Sequence, residues 1–231
     1  IGADPEEVAI MPNVSSALGA ISSCLDFAER SQVVTTALDF PTLTYHWLAK
    51  NRQGLETVIL ATPDGIQVPL AAFERAVNRK TVLIATSRVY FTSGFIQDVD
   101  GLAELAHRNG ALLLVDDYQA TGQVPIDVRR SAVDVLITGG LKWLLGGPGI
   151  AYLYVRRELI RTLQPTMTGW FSNARQFDFE PHHLEFHEDA RRFEAGTPSV
   201  ASIYAGKAGL EIINEIGAIN VRHRTAELRE D

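Results

Sequence analysis

The stretch Ala111-Leu112-Leu113-Leu114-Val115-Asp116-Asp117-Tyr118-Gln119 decides how this chain is read. A short, unbroken apolar run is the pattern of a strand buried on both faces, as in a parallel sheet covered by helices. Just before it, Asp98 to Arg108 opens on an acidic residue, carries Val99, Leu102 and Leu105 at helical spacing, and stops at Asn109-Gly110. That is a helix with a proper end. Working outward, further strands are expected at Val33–Leu38, Thr57–Leu60, Thr81–Ala85, Val133–Ile137 and Ile150–Val155. Another helix is expected over Ser15–Glu29, with Leu18, Ile21, Leu25 and Ala28 on one face. The β-α-β alternation predicts an α/β fold with a largely parallel sheet and helices on both faces. Ligands in such sheets sit at the carboxyl ends of the strands. Gln164–Pro198 has no clear period, and Val200–Leu228 reads as a long helical pattern with Gly217 as a break.

Composition narrows the classes of function. The 231 residues carry a net charge of −7, with 46% hydrophobic and 21% charged residues, ordinary globular values. No basic stripe points to nucleic acid, and no apolar run is long enough to span a membrane. Ile1-Gly2-Ala3-Asp4 has no basic region leading into an apolar one, so a secretory signal is not expected. The single cysteine, Cys24, excludes an internal disulfide, and a cytoplasmic location is expected. A chain that starts at Ile1 and stops within a helical pattern is expected to be a segment of a longer protein.

Two strand ends carry candidate chemistry. Asp116 follows the Ala111–Val115 strand, where a carboxylate either meets a ligand or caps a helix. Lys142 follows Thr138-Gly139-Gly140-Leu141 and precedes Trp143. A partly apolar setting is expected there, and burial disfavours an ammonium, as a nucleophilic amine requires.

The order of these residues resembles a known signature. Val115-Asp116-x-x-Gln119-x-x-Gly122, Pro125-Ile126-Asp127, Asp134 and Lys142 are similar to the pattern of class V aminotransferases. So are Asn13-Val14-Ser15, Phe40-Pro41-Thr42, Ala106–Ala111, Gly146-Gly147-Pro148-Gly149 and Arg192–Pro198. The last resembles the cysteine-desulfurase branch, whereas Phe40-Pro41-Thr42, Gly146–Gly149 and Gly169-Trp170-Phe171 look more like kynureninases. The resemblance implies pyridoxal phosphate (PLP) as cofactor. It also implies the three-layer large domain of a fold-type-I PLP-dependent transferase, with a mostly parallel mixed sheet. Residues 1–199 would be that domain with its N-terminal part missing, and 200–231 a helix leading toward an absent small C-terminal domain.

The resemblance also implies roles. Lys142 would form the Schiff base, Asp116 would face the pyridine nitrogen, and Gln119 would bond the ring hydroxyl. Phe40 would stack on the ring, unless it is a core aromatic after a strand. The phosphate would sit at the helix start, on Val14, Ser15 and the helix dipole. Thr197 from a neighbouring subunit would reach it in a homodimer, and Trp170 would either reach it or pack in its loop. Gly139 and Leu141 depart from the desulfurase Ser and His, Leu141 also from the kynureninase Tyr, and Arg88 from the family His. Thr138 is expected to replace part of the lost contacts.

The expected activity is that of a kynureninase-like or cysteine-desulfurase-like lyase or hydrolase, with a class V aminotransferase as alternative. A catalytically silent scaffold or binding module is the alternative from another class. His182, His183 and His187, with Glu185 and Glu188, read as a solvated surface rather than a metal site. Cys24 reads as a small core residue within its helix, and Arg191 and Arg192 either bind a substrate carboxylate or make structural ion pairs, the second being favoured.

Overall fold

The computed structural model describes residues 1–230. Seven strands form one sheet: β1 (Val8–Met11), β2 (Gln32–Thr36), β3 (Glu56–Leu60), β4 (Thr81–Ser87), β5 (Leu112–Asp116), β6 (Val135–Gly139) and β7 (Ala151–Val155). Their order is β1-β7-β6-β5-β4-β2-β3. Only β7 runs against its neighbours, β1 and β6; the remaining pairs are parallel. The expected mostly parallel mixed sheet is therefore present. Its consequence is that β4, β5 and β6 all end on one edge, where Ser87 pairs with Asp116 and Asp116 with Ile137.

Seven helices accompany the sheet: α1 (Val14–Ser22), α2 (Pro41–Lys50), α3 (Leu70–Ala76), α4 (Val99–Arg108), the single turn α5 (Arg157–Ile160), α6 (Val200–Ile216) and α7 (Ala218–Glu230). The strands sort their side chains by parity, because successive residues of a strand point to opposite faces. Leu83, Ala85, Leu114 and Ile137 join Leu18, Ile21 and Trp47 in one core, under α1 and α2. Ile84, Leu113, Val115 and Leu136 join Phe73, Leu102 and Leu105 in the other, under α3 and α4. The sheet is thus the middle of three layers. Each large apolar side chain buried this way contributes about 1.5–3 kcal/mol.

Several elements differ from the sequence reading. α1 ends at Ser22, well short of Glu29. The Ser22 and Ser23 hydroxyls donate to the Gly19 and Ala20 carbonyls at 3.1 and 2.7 Å, offering the backbone an exit from the helix. Cys24 consequently lies just past α1 rather than within it. It is half-buried against the core, and burial pushes its thiol up to about 12. β1, α2 and α3 have no counterpart in the sequence reading. α2 buries only Leu43 and Trp47, and α3 only Phe73, so neither leaves a periodic apolar stripe to find.

Within 164–198 the chain makes short 3-10 turns at Trp170–Ser172, Gln176–Asp178 and Ala190–Phe193. Buried Arg192 donates to the His187 carbonyl at 2.9 and 2.7 Å, and Arg191 pairs with Asp189 at 2.7 Å. Arg191 thus makes the expected ion pair, whereas Arg192 bonds backbone carbonyls and makes none among the described residues. The long helical pattern breaks at Gly217, which has φ +83°. Gly206 and Gly209 let α6 lie directly on the Leu144–Gly146 backbone; a methyl at Gly209 would stand 2.9 Å from Gly146 N. Among the described residues no helix is long and apolar enough to cross a membrane.

Candidate active site

Where β4 and β5 end and α1 and α2 begin, the chain leaves a cleft of about 260 Å³. Asp116 is the last residue of β5 and shares its face with Leu114, so strand parity aims it at the α1/α2 layer and into the cleft. Its Oδ1 accepts from the Tyr118 N–H at 3.0 Å. Burial is the main force on this carboxyl and pushes it up to about 7. The nearby charges of Asp39 and Asp117 add to the rise, and Lys142 opposes it. A buried acid of this kind is suited to a cationic partner.

Lys142 stands across the cleft in the turn after β6. It is exposed, not buried, yet its setting is partly apolar, as expected. Two aromatic faces neighbour it: Nζ lies 4.9 Å from the centroid of Tyr118 and 5.8 Å from that of Phe40. Phe40 is 45% exposed and meets Phe91 edge-on at 5.3 Å, so it lines the cleft and is not a core aromatic. Gln119 lines the same cleft.

The remaining wall is the start of α1. Asn13 caps the helix by accepting from the Ser16 N–H at 2.9 Å. The N–H groups of Val14 and Ser15 have no acceptor among the described residues. Both residues line the cleft, so an anion there would meet two free donors and the positive end of the helix dipole.

Val14, Ser15, Phe40, Asp116, Gln119 and Lys142 are therefore brought together. Three expected residues are not. Thr138 lies one residue from Ile137 on β6 and so faces the opposite side. It donates to the Asp117 carbonyl at 3.4 Å and lines a separate cavity with Leu210 and Ile213 of α6. It cannot replace lost contacts in this cleft. Trp170 packs in its loop, T-shaped on Phe171 at 4.6 Å and stacked with Phe179 at 6.3 Å. Thr197 is exposed and lines a different, smaller pocket beside Ser16, not this cleft.

Arg88 is not a cleft residue either. It is buried and forks onto Asp117, with Nε–Oδ1 at 2.5 Å and Nη2–Oδ2 at 2.8 Å. It also donates to the Val124 and Pro125 carbonyls. His183 Nε2 lies 3.9 Å from Glu185, and among the described residues no group of three His, Cys, Asp or Glu side chains could hold a metal.

Sequence reasoning missed two residues. Tyr118 stands between Asp116 and Gln119 and was passed over as a spacer. Asp39 is buried beneath Phe40, accepting from Thr36 N–H at 2.8 Å and Ser87 N–H at 2.6 Å. It ties the end of β2 to the end of β4 and so sets where Phe40 stands. Its only sequence signal was its place directly before Phe40-Pro41.

Comparisons with known proteins give the family and the fold. A family model described as aminotransferase class-V matches residues 1–231. An uncharacterized aminotransferase, YcbU, of Bacillus subtilis is 39% identical over 231 residues, covering 100% of this chain and 60% of that protein. A kynureninase of Pseudomonas fluorescens is 28% identical over 206 residues, 87% of this chain and 48% of that one. The solved structure of a cysteine desulfurase from Thermococcus onnurineus NA1 superimposes with a TM-score of 0.86 at 26% identity, covering 100% of this chain and 57% of that one. The chain thus spans roughly half to three fifths of the length of the proteins it resembles.

Proposed function

The chain belongs to the class-V aminotransferase family, and from that premise we propose that the protein is a PLP-dependent enzyme acting on an amino acid. The observation that carries the reading is one cleft holding the Lys142 amine, the buried Asp116 acid and two free helix N–H groups. That donor set fits the cofactor: an amine for its aldehyde, an acid for its ring nitrogen, and a helix start for its phosphate. When bound, PLP supplies an electron sink for negative charge at a substrate Cα.

The chain's own residues do the rest. Lys142 would hold the cofactor and would take and return the proton at the substrate Cα. Asp116 would stabilise a protonated ring nitrogen. Val14 and Ser15 would hold the phosphate, and Phe40 and Gln119 would hold the ring. Thr197 would reach the phosphate of a second copy in a homodimer, and the protein is proposed to work in the cytoplasm.

A kynureninase-like or cysteine-desulfurase-like lyase or hydrolase is the first reading, because relatives and a structural neighbour carry those names. An aminotransferase is the second, because the 39% identical relative carries that one. Residues 1–199 form the large domain in this reading, and 200–231 lead toward a small C-terminal domain.

The test is an absorbance spectrum of the purified full-length protein with PLP, before and after borohydride, followed by peptide mapping. A yellow band that bleaches, with a pyridoxyl adduct on Lys142, is the expected result. A full-length protein with no adduct at Lys142 would overturn the reading in favour of a silent scaffold.

A further inference from the structure

Tyr118 touches both groups on which the proposed chemistry depends. Its N–H holds the Asp116 carboxyl, and its ring lies beneath the Lys142 amine, 4.9 Å from centroid to Nζ. The ring is half-buried and packs on the core under α1 and α2, so its place is fixed by packing. Its partner in the fold is Gly139, at the end of β6 on the same face as Ile137. A methyl group at Gly139 would stand 2.7 Å from Tyr118 Cζ and 2.8 Å from its hydroxyl oxygen, far inside contact distance. Gly139 is not among the residues with positive φ, so backbone conformation does not call for glycine there. Glycine inside a strand weakens it and commonly marks the close approach of another group. Here that group is the Tyr118 ring.

We propose that Tyr118 is a positioning residue for the Lys142 amine, and that residue 139 is glycine to give its ring that place. The departure at Gly139 is then one half of a coupled pair whose other half is Tyr118. The ring offers the ammonium a π face on one side while Phe40, 5.8 Å away, offers a second. The amine is thereby held over the cleft although no carboxylate among the described residues bonds it. This rests on the reading of Lys142 as the reactive amine of the site.

The test does not depend on the cofactor. The full-length protein, stripped of any PLP, is treated with limiting acetic anhydride. Acetylation of Lys142 is then read by peptide mass spectrometry against Lys50, Lys80 and Lys207. The parent and Tyr118→Phe, which keeps the ring, label at equal rates. Tyr118→Leu, which keeps bulk but loses the π face, labels about two- to fivefold faster, the fold-change that a lost exposed cation–π contact implies. Gly139→Ala pushes the ring aside. It raises Lys142 labelling to the Leu level and lowers the thermal midpoint by about 2–4 °C or more, as overpacking does. Against a Tyr118→Ala background, where the ring is gone, Gly139→Ala lowers the midpoint no further. Equal labelling of Tyr118→Leu and Tyr118→Phe would overturn the role of Tyr118. An unchanged midpoint in Gly139→Ala would overturn the role of Gly139. A parent that labels in this pattern yet takes no PLP on Lys142 would uphold the positioning and sink the proposed function alone.

Discussion

Asp116 and Asp117 are neighbours in sequence and opposites in structure. Asp116 faces a cleft, receives one backbone N–H and is pushed up to about 7 by burial. Asp117 faces the body of the protein, is wholly buried, and has both oxygens taken by the Arg88 fork. The Thr121 hydroxyl adds a further bond to Oδ2. A buried charge whose partners are all supplied by its own chain is a structural fastener. A buried acid without a cationic partner is a place kept for one. The same contrast separates Lys142, exposed over two aromatic faces, from Arg88, which spends its donors on Asp117 and two carbonyls.

The contrast is sharpest if the amine is removed. Lys142→Ala is expected to abolish the borohydride-stable PLP adduct by intact mass. Being exposed, its thermal stability should stay within about 0.5 kcal/mol of the parent. A large loss of stability would mean that the lysine is a fastener after all.

Arg88→Met probes the other side. Removing one partner of a buried pair leaves Asp117 without its cation and with only the Thr121 hydroxyl on its carboxylate, at a cost of about 3–5 kcal/mol by chemical denaturation. A variant as stable as the parent would show that the knot behind the cleft holds nothing.

Asp116→Asn tests the cleft acid by pH. Burial lifts this carboxyl from 3.8 to about 7 in the folded chain. Between those values the folded protein keeps a proton that the unfolded chain has lost, so without cofactor the stability falls as pH rises from about 4 to 7. At about 1.4 kcal/mol per pH unit the ceiling is about 4 kcal/mol. The asparagine variant should lack that decline and be the more stable protein at pH 8. Equal pH profiles would place the carboxyl's proton elsewhere.

The smallest effect belongs to the cleft rim. Asn13→Ala frees the Ser16 N–H from its cap and should cost about 1 kcal/mol of stability. The Val14 and Ser15 donors are untouched by this change, so PLP affinity should fall less than the cap loss alone would suggest.

Much of the frame was legible. Val115-Asp116, Lys142 and the apolar runs on either side marked a parallel sheet with chemistry at its carboxyl edge, because a buried strand has a signature that no tertiary contact alters. β1, α2 and α3 were not legible, since four residues, or a helix burying one or two side chains, carry too little periodicity. Ser15–Glu29 was read too long because Ser22 and Ser23 turn the chain out of the helix by hydrogen bonds that hydropathy does not register.

The sequence by itself determined the layers, the family likeness, and the places of Asp116 and Lys142 just after two strands. These depend on local pattern and order along the chain. Only the tertiary structure decided which neighbours share a face. Strand parity removed Thr138 from the cleft, packing placed Trp170 in its own aromatic cluster, and the space above Gly139 admitted Tyr118. Side-chain direction and free volume belong to several elements at once, and no single segment carries them.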